Sequence, residues 1–392
     1  MLLFDASHTS HTRAQTGIQR VCRAVFAELA SRGAVTPVCH DPHLGAWRSL
    51  DRDEESMLRD RAGGTGQSRG AKWTLGQKLA GHAWRLSGRR PDIPAATGLV
   101  CPELFSSRVG ANLPELFARV SGPRVAIFHD AIGLKFPELT PPSTVARLPA
   151  YLRELLQFDG VAAVSEDSAA CLREFWSWLG VERTPAVVTI PLGVDEIPAA
   201  VSNAVTPAIA RPRILCVATV EGRKNHLALL DAAEALWHEG LNFELELIGM
   251  PRPDTAQAAL EKIRTLRSAG HPLEYHGSVS DNSLHAAYAR SSFTVYPSLL
   301  EGFGLPVLES LQHGKPCVCS GGGALGESAR GGGCFTVPAV DATSLSAALR
   351  TLVREPARVA ELSAAARART FRSWRNYAGD LSAWMGTLPR RN

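Results

Sequence analysis

Short apolar runs alternate along this chain with segments of helical spacing, and that alternation restricts the fold more than any other feature. Thr97 to Cys101, Arg124 to Phe128 and Gly160 to Val164 are such runs, with helix-like Thr144 to Gln157 between the last two. Leu2 to Asp5 and Val187 to Pro191 belong to the same pattern. Ile214 to Ala218, Phe243 to Gly249, Leu273 to Tyr275, Phe293 to Tyr296 and Pro316 to Ser320 continue it. Strands alternating with helices read as βαβ units, which form parallel sheets. At 392 residues two α/β domains are expected. Ile197 to Pro212, rich in Ala and Pro and without periodicity, reads as the linker.

The stretch Tyr296 to Glu327 carries the most chemistry. After the strand ending at Tyr296 comes a loop, Ser298 to Gly304, and Pro306 suits the first turn of a following helix. That helix is expected to run to about His313 and stop at Gly314. Backbone N–H groups of Gly302, Phe303, Gly304 and Leu305 would then gather at a helix N-terminus, which attracts anions, phosphate among them. Glu301 lies in the loop and Glu309 is placed in the first helical turn. Carboxylates beside a phosphate pocket are suited to hydroxyls of a ribose or hexose. The alternative is a solvated Glu301 and a Glu309 that only favours its helix dipole.

E-G-F-G-L-P-x-x-E followed by G-x-P resembles the E-x₇-E signature of retaining glycosyltransferases of family 4. Glu301, Gly302, Phe303, Gly304, Pro306, Glu309, Gly314 and Pro316 fall in register. The resemblance implies the GT-B fold: two Rossmann-like doubly wound domains facing a cleft, residues 1–200 and 201–371, with a C-terminal helix (372–392) returning to the first domain. It places Glu301 at the transferred sugar, Glu309 at the ribose, and the loop amides beside sugar and diphosphate. F-D-A-S…T-G-I-Q-R-V is similar to the opening of family members that build bacterial O-antigens and capsules. There the loop glycine, Gly17 here, faces the donor diphosphate across the cleft.

Other steps extend the likeness. His129-Asp130 and Ser165-Glu166 stand just past strand ends, where ligands cluster in such sheets. The family's His-Asp step lies at the donor sugar, although His129 also fits a structural role. Ser165 and Glu166 resemble a V-S-E step near the acceptor, and Ser165 equally suits a helix cap. Arg223 and Lys224, past a strand end and before a helix, suit an oxyanion clamp, or, by position alone, a solvated surface pair. They match the family's R-K-N step at the diphosphate. His276 and Val279 match an H-G-x-V step near the base, and Glu327 a loop glutamate that shapes the pocket. Gly321 to Gly326 spells G-x-G-x-x-G, but the glycines after Arg330 break any long helix there, so a dinucleotide fingerprint is rejected.

The implied activity is transfer of a hexose, best matched by mannose from GDP-mannose, to a glycan or lipid-linked acceptor with retention. It needs neither metal nor other cofactor. A GT-B epimerase or phosphorylase, or a non-catalytic nucleotide-sugar binder, are the alternatives. A net charge of +4 gives no argument for nucleic acid. The eight cysteines include no C-x-x-C pair and read as small buried hydrophobes of a reducing cytoplasm. No run of 18 apolar residues suggests a spanning helix, and the apolar N-terminus is too short for a secretion signal. From Arg59 to Arg90 eight Lys or Arg stand against one Asp. Lys72 to Leu86, as a helix with Trp73, Leu79, Ala80, Ala83 and Trp84 on one side, would suit an anionic inner-membrane surface or pack on the core. Asp51-Arg52-Asp53 spells D-x-D but follows no apolar strand, so a metal role is discounted.

Overall fold

Both sets of apolar runs become sheets. The computed structural model describes residues 1–15, 17–61, 70–88, 90–197 and 211–389. Among them the first sheet comprises β1 (Leu2–Asp5), β2 (Val35–Asp41), β3 (Ala46–Ser49), β4 (Leu99–Cys101), β5 (Arg124–Phe128), β6 (Gly160–Ala163) and β7 (Ala186–Thr189), in the order β3-β2-β1-β4-β5-β6-β7. Its pairings are parallel except β2 with β3. The second comprises β8 (Arg213–Val217), β9 (Glu244–Ile248), β10 (Leu273–His276), β11 (Phe293–Tyr296), β12 (Cys317–Ser320) and β13 (Cys334–Val337), in the order β10-β9-β8-β11-β12-β13 and parallel throughout. Each order reverses once, between β1 and β4 and between β8 and β11. Such a reversal opens a crevice at the strands' C-terminal ends, the usual ligand position in doubly wound sheets.

The cores follow from the sequence spacing. In the helix His226–His238, Leu229, Leu230, Ala232, Ala233 and Leu236 are buried, the 3–4 spacing of one face. They join Leu245 and Leu247 of β9, alternate residues on one side of the sheet. Each leucine fully buried contributes about 1.5–3 kcal/mol.

The chain divides into Met1–Ala131, Ser143–Gly193 and Arg372–Asn392 as one unit, and Ile132–Pro142 with Val194–Phe371 as the other. The division falls at Gly193, earlier than the expected boundary at 200, and most of the expected linker (198–210) lies outside the described residues. Packing explains the position. A Cβ on Gly193 would sit 2.4 Å from the Trp374 nitrogen in the first unit, whereas Val194 packs with Leu305 and Leu308 in the second. Ile132–Pro142, expected in the first domain, counts with the second, where Leu139 lies against Gly222. The final helix, Trp374–Met385, buries Trp374, Tyr377, Ala378, Leu381 and Met385 within the first unit. Gly160, opening β6, makes room for it: a Cβ there would lie 2.6 Å from the Trp384 ring.

One expectation for residues 50–90 changes, the start of the basic helix, while the D-x-D already discounted as a metal site takes part in a cap. Asp51 caps the helix Arg52–Arg59, accepting from the Glu54 amide, while Glu54 returns a bond to the Asp51 amide. The D-x-D letters are therefore cap chemistry. The next helix is Leu75–Ser87, capped by Thr74, so it starts three residues later than expected. Trp73 precedes it and stacks on His11 at 3.7 Å between ring centroids. Leu75, Leu79, Trp84 and Leu86 are exposed, Leu86 by 89%. Residues 62–69 and 89, part of the same basic segment, are not among those described.

Candidate functional site

The reversal between β8 and β11 places two loops side by side. The loop after β8 carries Glu221, Arg223 and Lys224, the last two in a short 3-10 turn, Gly222–Lys224, that ends on Asn225 with φ +56. The loop after β11 carries Ser298 and Glu301. Asparagine tolerates the left-handed conformation better than most residues, which lets the chain turn sharply into the helix His226–His238.

Glu301 is the centre of this cluster and only 8% exposed. Its Oε1 accepts from Lys224 Nζ, from Ser298 Oγ and, at 3.0 Å, from Tyr296 Oη. Its Oε2 accepts from Arg223 Nη1 at 3.1 Å. Burial would push this carboxyl up, but Lys224 and Arg223 hold it at about 2, so it is ionised. Lys224 Nζ also donates to Tyr296 Oη at 2.6 Å. Burial and then Arg223 lower the ammonium pKa, and Glu301 opposes them. Glu221 completes the set, taking Arg223 Nε at 2.8 Å and Arg252 Nη1 at 3.2 Å. The sequence singled out Arg223, Lys224 and Glu301 and the structure brings them together. It missed Glu221, Tyr296, Ser298 and Arg252, although Glu221 stands two residues before Arg223.

The helix after this loop runs Leu305–Gln312, with Gly304 before it at φ +100. Glycine is required there twice over, since a Cβ would also lie 2.7 Å from Leu325 Cδ2. Because the helix opens at Leu305, Glu309 is its fifth residue and sits in the second turn, not the first. The helix dipole therefore acts on it weakly. Tyr288 Oη donates to Glu309 Oε2 at 3.4 Å, and the Glu309 carbonyl accepts from His313 Nδ1 at 2.8 Å. Phe303 and Leu305 pack with Val194 and Leu308, and the Phe303 carbonyl accepts from Ser328 Oγ. Gly302 lies in the turn between Glu301 and Phe303.

His276, expected near a base, ends β10 and turns toward Glu246 (3.6 Å) and Glu274 (3.5 Å). Val279 packs against Leu215, Ile248 and Tyr288. The glycine run opens only a seven-residue helix, Gly323–Ala329, too short for a dinucleotide unit. It borders a cavity of about 390 Å³ lined also by Glu327 and Arg330.

In the first unit, His129 follows β5 and is 5% exposed. Its Nε2 lies 2.7 Å from the Pro102 carbonyl, which can only accept. The hydrogen is thus on Nε2, and Nδ1 carries the lone pair of the neutral ring. Burial lowers its pKa, so the ring is held neutral. Ser165 caps the helix Glu166–Trp178 through the Ser168 amide at 3.1 Å, and Ser168 Oγ donates to the His129 carbonyl at 2.9 Å. Ser165 is buried and Glu166 exposed. Gly17 is the first residue of the helix Gly17–Arg32, and nothing lies within 4 Å of where its Cβ would be.

Groups of ligand-type atoms occur among the described residues at His11, Cys39 and Glu54 and at Glu246, Glu274 and His276. In the first, Arg48 forks onto both Glu54 oxygens at 2.6 and 2.7 Å. In the second, Arg213 and Arg290 pair with Glu246. A cation already answers the key carboxylate in each.

Residues 211–355, containing Arg223, Lys224, Glu301 and Glu309, match the family model described as glycosyl transferases group 1. O-antigen chain mannosyltransferase B of Escherichia coli is 30% identical over 266 residues, covering 64% of this chain and 67% of that protein. The chain belongs to the group 1 glycosyl transferases. Within that family it is also similar to the serotype-specific mannosyltransferase WbdA of Escherichia coli, 28% identical over 349 residues and 81% of this chain. The chain spans only 38% of WbdA's length. The fold is that of Anabaena HepE, solved in complex with UDP and glucose, with a TM-score of 0.68, 15% identity and 99% of both chains covered.

Proposed function

We propose that this group 1 glycosyl transferase moves a hexose, mannose by its likeness to the two Escherichia coli mannosyltransferases, from a nucleoside diphosphate sugar to a hydroxyl of a glycan or lipid-linked acceptor. GDP-mannose is the donor this reading favours, and O-antigen assembly the setting. The observation that carries it is the Arg223–Lys224–Glu301 cluster at the β8/β11 reversal. The two cations answer the charge that grows on the leaving diphosphate. Glu301, ionised and dry, favours positive character at the sugar carbon. Glu309 is assigned to the ribose hydroxyls, and the neutral His129 to acceptance of a hydrogen bond at Nδ1.

Transfer proceeds with retention in this reading: the acceptor attacks from the face the diphosphate leaves, and the leaving phosphate takes its proton. Metal is not required, because Arg223 and Lys224 supply the positive field. The test is turnover of GDP-mannose, beside UDP and dTDP sugars, with a polyprenyl-diphosphate-linked glycan acceptor in excess EDTA. Product with an unchanged anomeric coupling constant is expected. Inversion, or loss of activity that Mn²⁺ restores, would overturn the mechanism, and nucleotide binding without turnover would make the chain a binder.

We also place the helix Leu75–Ser87 on an anionic membrane. Leu75, Leu79 and Leu86 share one face and are exposed by 72, 60 and 89%. Lys72, Lys78 and Arg85 flank them, and no acidic residue occurs from Gly70 to Ser87. Exposed leucines beside cations suit lipid headgroups.

A further inference from the structure

The Arg223–Lys224 pair is already satisfied by protein carboxylates. Lys224 and Arg223 both meet Glu301, and Arg223 meets Glu221 as well. A diphosphate arriving at these cations therefore does not enter an empty positive field. It meets a buried carboxylate bonded to the same nitrogens, and like charges crowded at that distance repel strongly where water is excluded. Adding the ligand while keeping both ion pairs would place too much negative charge on one ammonium and one guanidinium.

We infer that Glu301 is an internal stand-in for the diphosphate: it holds Arg223 and Lys224 before the donor arrives, and the donor binds by displacing it from them. This rests on the reading of the site as a donor site. Two features of the cluster suit such an exchange. A buried ammonium is costly without an anion beside it, and Glu301 supplies one in the unliganded protein. Tyr296 Oη and Ser298 Oγ bond the same carboxylate, so two hydroxyl donors remain to it when the cations turn to phosphate. The exchange links two events, since Glu301 is released from its cations only when the diphosphate has taken them. Tyr296 and Ser298 thereby become positioning residues.

The consequence is contrary to the simpler assignment, in which Glu301 meets the sugar alone and leaves diphosphate affinity untouched. Glu301→Gln keeps the side chain's size and its bonds to the hydroxyls but removes the competing charge. Calorimetric titration at pH 6 with GDP, UDP and inorganic pyrophosphate compares it with the natural protein. The expected result is binding of pyrophosphate and of the preferred nucleotide tightened by about tenfold or more, together with turnover reduced by about a hundredfold. Unchanged or weaker binding in Glu301→Gln, with the natural protein binding the nucleotide, would overturn the exchange while leaving the donor site standing. Failure of both proteins to bind any nucleoside diphosphate would overturn the donor site and the exchange together. If Glu301→Gln does not fold, Glu301→Asp answers in its place. Its shorter carboxylate reaches the cations less well, so a smaller tightening is expected and none would refute the exchange.

Discussion

The β1/β4 reversal of the first unit and the β8/β11 reversal of the second are equivalent positions in two similar sheets, yet their chemistry is opposite. At β8/β11 two carboxylates, Glu301 and Glu221, are each paired with cations. At β1/β4 two carboxylates, Asp5 and Glu103, stand together at 1 and 3% exposure. Glu103 accepts from the amides of His8 and Thr9 at 2.8 and 2.9 Å and from the Thr9 hydroxyl, and Asp5 from the amide and hydroxyl of Ser7. Burial, and then Glu103, push Asp5 up to about 7, and burial raises Glu103 as well. The two acids pin the Ser7 to Thr12 loop over the strand ends, where Arg23 ties the carbonyls of Ala14 and Thr12. The fold supplies the position, and the side chains decide whether it becomes a loop anchor or a cluster of paired cations.

This contrast is sharpest in its pH dependence. Asp5 has a folded pKa above its unfolded one, so its contribution is fully present below about pH 4 and is lost as pH rises through 7. Glu301 has the opposite sign: its contribution is present above its unfolded value of 4.5 and is lost as pH falls toward 2. Hydrogen exchange across a pH series, corrected for intrinsic rates, should show β1 and β4 losing protection between pH 4 and 7. Asp5→Asn should flatten that loss. An equal loss in the variant would mean that Asp5 does not carry it.

Ligand binding provides the next test. Lys224→Met should weaken nucleoside diphosphate binding by about ten- to a hundredfold, the range for a bond to a charged group. Asp5→Asn should leave that affinity unchanged. Comparable losses in both would show that the first reversal also serves the nucleotide.

Within the second unit, Glu309→Ala should cost about tenfold in affinity for GDP or UDP and little for the 2′,3′-dideoxy analogues. Tyr288→Phe should reproduce the same discrimination at a few-fold, because its 3.4 Å hydrogen bond only orients the Glu309 carboxylate. Equal weakening of the ribose and dideoxy forms would place Glu309 elsewhere.

The smallest effect concerns the surface. Leu79→Ser with Leu86→Ser should release the protein from phosphatidylserine vesicles in a flotation assay without altering nucleotide affinity. Trp73→Ala is expected to act differently, lowering stability through its stack on His11. Vesicle binding that survives the leucine changes would remove this helix as a membrane contact.

The sequence by itself determined the parallel α/β architecture, because apolar strands separated by helices leave few other ways to bury both sheet faces. Local spacing also brought out the β11–loop–helix–β12 stretch, a short-range pattern read along one segment, whereas the R-K-N step stood out only by its likeness to the family. Tertiary structure decided what those residues touch. Glu301 and Lys224 are 77 positions apart, and only the β8/β11 pairing brings their loops into contact. The same holds for Asp5 and Glu103, invisible as a pair until β1 and β4 lie side by side. The Glu309 turn depended on one cap residue, Gly304, whose positive φ starts the helix at Leu305. Trp73 was misjudged because helical periodicity cannot report that its ring stacks on a histidine 62 residues earlier, a contact made by folding and not by spacing.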